Sequence, residues 1–339
     1  MAKPTTSTNV FPKIGAPALR ALTGAGYHSL EELAQVSEAD LAKLHGMGPK
    51  ALGILRDALA AKGLAFAGEQ VSNQGAYAEV NGIRLYYAYY GKPASQEVPL
   101  VILHGGLSRI EMMHELIEAL ESEYTIIGVD LQAHGRTADI DRPIRYPSCA
   151  DDIGGLIQHL GLEQVDLLGY SFGGGVALRT AIQYPELVRK LVLISTPTRQ
   201  SGWLPDVLEG MSGISSAIAE SMRNTPMYEH YVDVAPRPED FPQLLDKMGD
   251  LMRQENDSTA DIAGLSMPVM LIYGDADSIA PSHAAAFFGL LGGGQRDAGW
   301  DGAGMTNHRL AILPGTTHYN VHESPLVPLM VKPFLAENA

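Results

Sequence analysis

The chain has 339 residues, with 24 Lys and Arg against 39 Asp and Glu, so its net charge is −15 with neutral histidines. That balance excludes nucleic-acid binding over the whole surface. At 45% hydrophobic and 19% charged residues the composition is globular rather than disordered, and the length suffices for two domains with one sizeable core.

One cysteine, Cys149, excludes an intrachain disulfide framework and suits a reducing compartment. Residues 1–12 are polar and Thr-rich, without the apolar core of a secretory signal. No apolar run reaches the length of a membrane span. The expectation is a cytoplasmic protein with no membrane partner.

Residues 1–66 stand apart, with seven Lys or Arg against five acids in a strongly acidic chain. Ser29-x-x-Glu32 and Ser37-x-x-Asp40 are spaced as helix-starting capping boxes. Leu44 leads through His45-Gly46-Met47-Gly48-Pro49-Lys50 into a helix with Ala51, Leu52, Leu55 and Leu59 on one face. Pro49 suits the first turn of that helix, where its missing N–H costs nothing. This segment resembles a helix-hairpin-helix domain. The resemblance implies that Gly46, Gly48 and Lys50 could hold a nucleic-acid phosphate at a helix N-terminus. The small positive charge argues against nucleic acid as a partner of residues 1–66 and for a role in packing or oligomerisation. Residues 67–75, small and polar, are expected to form a linker.

From residue 76 the pattern changes. Residues 78–80 and 83–87 flank Asn81-Gly82, the signature of a type I′ hairpin. Buried-strand runs follow at 99–103, 125–129, 165–169, 190–194, 269–273 and 309–313, alternating with helical stretches. Such alternation predicts a parallel sheet covered on both faces. A helix after Ser148 carries Ile153, Leu156, Ile157 and Leu160 as one stripe and stops at Gly161.

The strand at 98–103 runs into His104-Gly105-Gly106-Leu107. Glycines let backbone approach a substrate oxygen closely, so Gly106, with Leu107 as rival, is expected to donate one amide to an oxyanion. The strand at 165–168 runs into Gly169-Tyr170-Ser171-Phe172-Gly173 and then a helix, the context in which G-x-S-x-G forms a nucleophile elbow. Ser171 is the expected nucleophile, and the Phe172 amide the second oxyanion donor. An insertion at about 199–264 is too long for a simple crossover and is expected to cap the site. Its Met and aromatic residues mostly pack cap helices together, while Trp203 and Met227, with Leu107, are candidates for the pocket wall. Asp275 and Asp277 leave the strand at 269–273, and His318 leaves the last strand with His322 close behind. The order serine, acid, histidine is that of the hydrolase motif. Between the last two stands a glycine-rich segment, 292–307, with Trp300 or Met305 as candidates for the entrance.

Five segments in this order resemble the α/β-hydrolase fold superfamily: His104-Gly105-Gly106, the loop from Asp130 to Arg136, the elbow at Ser171, Gly274 to Asp277, and Gly315 to His318. The resemblance spans residues 76–339. Its Gly-x-x-Asp spacing favours Asp277 over Asp275. It implies an α/β fold with a mostly parallel sheet and helical cap, behind a small all-α domain. It also implies a serine hydrolase of apolar esters or lactones, with Ser171, Asp277 and His318 as nucleophile, acid and base. A serine nucleophile argues against the dehalogenase and epoxide-hydrolase branches. The chain has no His-Glu-x-x-His motif and no paired cysteines, so neither metal nor cofactor is expected. Perhydrolysis, carbon–carbon cleavage or a non-catalytic ligand receptor on the same scaffold are the alternatives. A homo-oligomer is left open.

Overall fold

The computed structural model describes residues 11–60, 64–67, 75–91 and 98–337. The chain divides into two compact units: residues 1–76 with 88–97 and 121–126, and residues 77–87 with 98–120 and 127–339.

The front unit holds four helices, α1 (Ala16–Gly24), α2 (Leu30–Leu33), α3 (Glu38–Leu41) and α4 (Pro49–Ala60). Ser29 starts α2 with a complete capping box, its hydroxyl accepting the Glu32 N–H and the Glu32 carboxylate accepting the Ser29 N–H. Ser37 caps α3 more simply, its hydroxyl accepting the Asp40 N–H and donating to the Asp40 carboxylate. Leu22, Leu33, Leu41, Leu55 and Leu59 are fully buried in one apolar cluster, where they hold helices too short to persist alone. At the expected hairpin Gly46 has φ 99° and packs against the Pro17 carbonyl, Gly48 accepts the N–H groups of Ala51 and Leu52, and Lys50 is exposed. Residues 68–74 of the expected linker lie outside the described residues. Ala67, placed in that linker by its sequence, donates its N–H to Val36 O within the front unit.

The larger fold is built on eight strands: β1 (Ala76–Val80), β2 (Ile83–Gly91), β3 (Leu100–Leu103), β4 (Thr125–Asp130), β5 (Val165–Tyr170), β6 (Val188–Ile194), β7 (Val269–Ala276) and β8 (Arg309–Thr317). Their order in the sheet is β1-β2-β4-β3-β5-β6-β7-β8. Asn81 and Gly82, at φ 47° and 79°, supply the two left-handed residues of the expected hairpin turn. From β3 through β8 the strand pairs are parallel. Strands β3 and β5 are neighbours, but the chain leaves β3 toward β4 and leaves β5 toward β6. Their connections therefore diverge at the carboxyl edge and leave a crevice, where ligands bind in open α/β sheets.

The sheet is flanked by α5 (His114–Leu120), α6 (Tyr146–His159), α7 (Phe172–Gln183), α13 (Pro281–Leu290) and α14 (Leu326–Ala336). Helix α6 begins at Tyr146, earlier than expected, because Pro147 fits its first turn. Ile153, Leu156 and Ile157 are fully buried, and Gly161 at φ 68° ends the stripe.

The segment between β6 and β7 forms α8 (Pro205–Ser212), α9 (Ala219–Met222), α10 (Pro226–Val232), α11 (Phe241–Arg253) and α12 (Thr259–Ile262). Tyr228 and Tyr231 pack their rings on Phe241. Lys247 of α11 ties the cap to the chain after β4, reaching buried Asp139 at 2.7 Å and the carbonyls of Ile140 and Arg142.

The glycine-rich segment 292–307 corrects one expectation. It runs from the end of α13 to the start of β8, and His308 beside it accepts the Val269 N–H at the amino end of β7. That is the opposite end of the strands from Ser171, so Trp300 and Met305 do not flank the crevice.

Candidate active site

The elbow follows from the strand, turn and helix around it. Ser171 has φ 53° and ψ −115°, a strained conformation costing about 1–3 kcal/mol that the flanking strand and helix must hold in place. A Cβ at Gly169 would collide with the Gly173 carbonyl, and one at Gly173 with the carbonyls of His104 and Leu103. Both flanking glycines are therefore required by close backbone approach.

Ser171 Oγ lies 2.9 Å from His318 Nε2, and His318 Nδ1 lies 2.9 Å from Asp277 Oδ1. Three residues far apart in sequence thus form one hydrogen-bonded chain at the carboxyl ends of β5, β7 and β8. Asp277 also accepts the Gly274 N–H at 3.1 Å, the Ile279 N–H at 3.2 Å and the Ser195 hydroxyl. Burial alone would raise its pKa. The bonds from His318, Ser195 and Gly274 outweigh it and hold the carboxyl below the usual range.

Asp275, the rival acid, is exposed and faces away. Its Oδ1 accepts the Gly315 N–H at 2.8 Å and the Thr316 N–H, tying the start of the His318 loop to the end of β7. His322, the rival base, stacks on Tyr170 with ring centroids 4.3 Å apart. Its nearest carboxylate, Glu323, is 3.8 Å from Nε2. Burial, reinforced by His318, pushes His322 down to about 4, so it is neutral at pH 7 and forms part of the pocket wall.

Gly106 and Phe172 lie side by side at the crevice. Phe172 is the first residue of α7, so its N–H has no acceptor within the helix. Leu107, the rival donor, gives its N–H to His134 Nε2 at 3.1 Å and is thereby committed. His104 accepts the Leu131 N–H in the same manner. Burial pushes His104 to about 3 and His134 to about 4, keeping both rings neutral with a free acceptor nitrogen for those amides. Both histidines brace the loops, and neither touches Ser171 Oγ.

A cavity of about 460 Å³ opens over Ser171. Leu107, Trp203 and Met227 line it, with Met211, Met248 and Met252 from the cap. Unbranched thioethers conform to irregular apolar shapes, which suits a cap lying over a substrate. No group of three or more His, Cys, Asp or Glu side chains able to hold a metal occurs among the described residues. No helix among them is long and apolar enough to cross a membrane.

Sequence reasoning missed three supporting residues. Ser195, at φ 48° just past β6, holds Asp277 from behind. Tyr170 donates its hydroxyl to the His318 carbonyl at 2.7 Å, and His134 holds Leu107. A polar residue directly after a buried strand is the one sequence signal for Ser195. The other two contacts bridge distant segments and leave no local pattern.

With this geometry in view, the chain's relatives fall into place. A family described as the alpha/beta hydrolase fold matches residues 98–225, and a SAM-like helix-hairpin-helix tandem matches residues 11–60. The uncharacterized hydrolase YugF of Bacillus subtilis is 28% identical over 225 residues, which span 60% of this chain and 80% of that protein. Several other curated relatives match over less than half of their own length. The carboxylesterase CesB of Bacillus subtilis superposes with a TM-score of 0.59 at 19% identity, over 84% of this chain and 96% of that one. The enol-lactonase of Burkholderia xenovorans superposes at 0.56 and 20% identity, over 77% of this chain and all of that one, 100%. Likeness at this level of identity carries the fold and not the substrate. The larger part of the chain has the alpha/beta hydrolase fold, and residues 11–60 are similar to a helix-hairpin-helix tandem. The proteins it resembles include an uncharacterized hydrolase, a carboxylesterase and an enol-lactonase, each at 28% identity or less.

Proposed function

We propose that the protein is a serine hydrolase that cleaves apolar carboxylic esters, lactones included, through an acyl-enzyme. The observation that carries this reading is the unbroken chain from Ser171 Oγ through His318 to Asp277, at 2.9 Å for each link. His318 takes the Ser171 proton as Oγ attacks the carbonyl carbon. Asp277 fixes the imidazole tautomer and stabilises its charge. The Gly106 and Phe172 amides receive the oxyanion. The C–O bond to the leaving group breaks, His318 hands its proton to the departing oxygen, and water activated by His318 then releases the acid. The apolar lining of the cavity over Ser171 supports an apolar substrate.

The test is a panel of chromogenic esters and lactones on wild type and Ser171→Ala. Wild type should show a burst with short esters, and the variant should lose about a thousandfold or more of turnover while remaining folded. Equal burst and steady-state rates in the two proteins overturn the reading. For the front module, its near-balanced charge supports packing over phosphate binding through Gly46, Gly48 and Lys50. A DNA gel shift of the full chain that weakens with salt and with Lys50→Glu would reverse that assignment.

A further inference from the structure

Ser171 stands at the junction of two chambers that differ in chemistry. The larger, about 460 Å³, is lined mainly by aliphatic, Met and aromatic side chains. The smaller, about 230 Å³, is lined by Arg179, Thr198, Arg199, Gln200, Asn256 and Ser258, among others. At liquid density it has room for about seven waters, the bulk of a short chain. Tyr146, Trp203 and Met252 border both chambers. Trp203 stands edge-on to His318, with ring centroids 5.1 Å apart. His318, Gly106 and Phe172 line the larger chamber, and none of them lines the smaller one.

That asymmetry orients the substrate. In acylation the leaving oxygen must depart beside His318 Nε2, because that nitrogen returns the proton to it. The leaving group therefore belongs in the chamber that His318 lines. The acyl substituent stays on Ser171 after the C–O bond breaks and needs a place of its own. We infer that the smaller polar chamber holds the acyl half of the substrate and the larger apolar chamber holds the leaving alcohol. The inference rests on the serine-hydrolase reading above and adds a substrate class to it: a short acyl chain with an uncharged hydrogen-bonding group, esterified to a bulky apolar alcohol.

The charges of the smaller chamber support an uncharged acyl chain. Arg179 and Arg199 face Glu255 and Asp257 in the lining. Arg179 is also paired with Asp261 at 3.6 Å, and Asp257 accepts the Thr259 N–H at 2.8 Å. A carboxylate or ammonium on the substrate would meet no net opposite charge. Hydrogen-bonding side chains remain around it, and an acyl chain without a polar atom would leave them facing carbon.

Kinetics separate the two chambers, since every ester of one acid passes through the same acyl-enzyme. Deacylation depends on the acyl group, and only acylation senses the alcohol. Ser258→Trp narrows the smaller chamber, and Val207→Trp on α8 narrows the larger. Burst kinetics on a matrix of chromogenic esters should show Ser258→Trp slowing deacylation of longer acyl chains by at least about tenfold. Val207→Trp should slow acylation from bulky alcohols while deacylation stays at the wild-type rate. An ether-bearing acyl chain should be cleaved faster than its all-carbon isostere, and that preference should shrink in Arg199→Leu. Where a tryptophan variant fails to fold, Ser258→Leu and Met211→Phe give the same comparison.

Deacylation altered by Val207→Trp and untouched by Ser258→Trp overturns the assignment, as does equal cleavage of the isosteric pair. Either result leaves Ser171-dependent turnover intact. Loss of the serine-hydrolase reading would instead appear as no Ser171-dependent turnover of any ester, and the inference would fall with it.

Discussion

Ser195 donates its hydroxyl to Asp277 Oδ2, while the other carboxylate oxygen of Asp277 faces His318 Nδ1. The serine reaches this position because the chain turns into the left-handed region, at φ 48°, directly after β6. A strand-end serine thus holds the carboxylate that bonds His318, which the proposed mechanism uses as the base. A hydrogen bond to a charged group contributes about 1.5–3 kcal/mol. Ser195→Ala should lower kcat by about tenfold, with KM nearly unchanged. Asp277 also loses one of the bonds that depress its pKa, so any loss of activity from protonating that carboxylate at acid pH should set in at a higher pH. A profile and kcat equal to wild type would show that the remaining bonds suffice.

The two aspartates after β7 should separate cleanly on mutation. Asp277→Asn keeps the shape but supports the wrong imidazole tautomer, and kcat should fall by about 10⁴. Asp275→Asn disturbs only the backbone amides of Gly315 and Thr316. Its kcat should stay within about tenfold of wild type, with a loss of about 1 kcal/mol in stability. Steady-state kinetics and urea titration of both variants check this pair.

Lys247 ties the cap to the chain after β4 through buried Asp139. Lys247→Met leaves the Asp139 carboxylate buried beside Gln132 and Gln243 without its cation. Removing one partner of a buried pair costs about 3–5 kcal/mol. The melting temperature should fall, and limited proteolysis should cut within residues 199–264 sooner than in wild type. Asp139→Asn together with Lys247→Met should recover part of the loss, because no uncompensated charge then remains.

Stability should decline as the pH falls from about 6.5 toward 4. His104, His134 and His322 are depressed to about 3, 4 and 4 in the folded chain. They titrate near 6.5 when unfolded. Unfolding therefore takes up protons through this window, and the stability present above it is lost as pH drops. Asp130 works in the other direction. Burial raises it to about 6, so its contribution is fully present below its unfolded value near 3.8 and lost as pH rises through 6. Asp152 and Asp166 are raised as Asp130 is, and His283 and His308 are lowered as well, so five imidazoles against three carboxyls leave net proton uptake. Urea midpoints at stepped pH should decrease steadily across this range, and a flat series would contradict the burial of these rings.

Much of this was legible in the chain. Apolar runs bounded by glycine, proline and acidic residues marked the strands from β3 to β7, because a strand buried on both faces has little freedom in its composition. Strand β8 was marked by the same kind of run, although it lies at the sheet edge and is mostly half-buried or exposed. The elbow glycines were legible because backbone collides with backbone there whatever surrounds it. Asp277 and Asp275 were distinguishable only by family spacing, since both follow the same strand. The second chamber was invisible, for its walls come from α7, from the chain after β6 and from the turn before α12.

Sequence alone determined the fold class, the strand order along the chain and the tight strand-to-helix turn that carries Ser171, because periodicity and tight turns are local constraints. Tertiary structure decided which carboxylate meets His318, that the Leu107 amide is committed to His134, and that two chambers meet at Ser171. Those depend on parallel strands bringing loops tens of residues apart to one edge, and no local pattern encodes a contact of that kind.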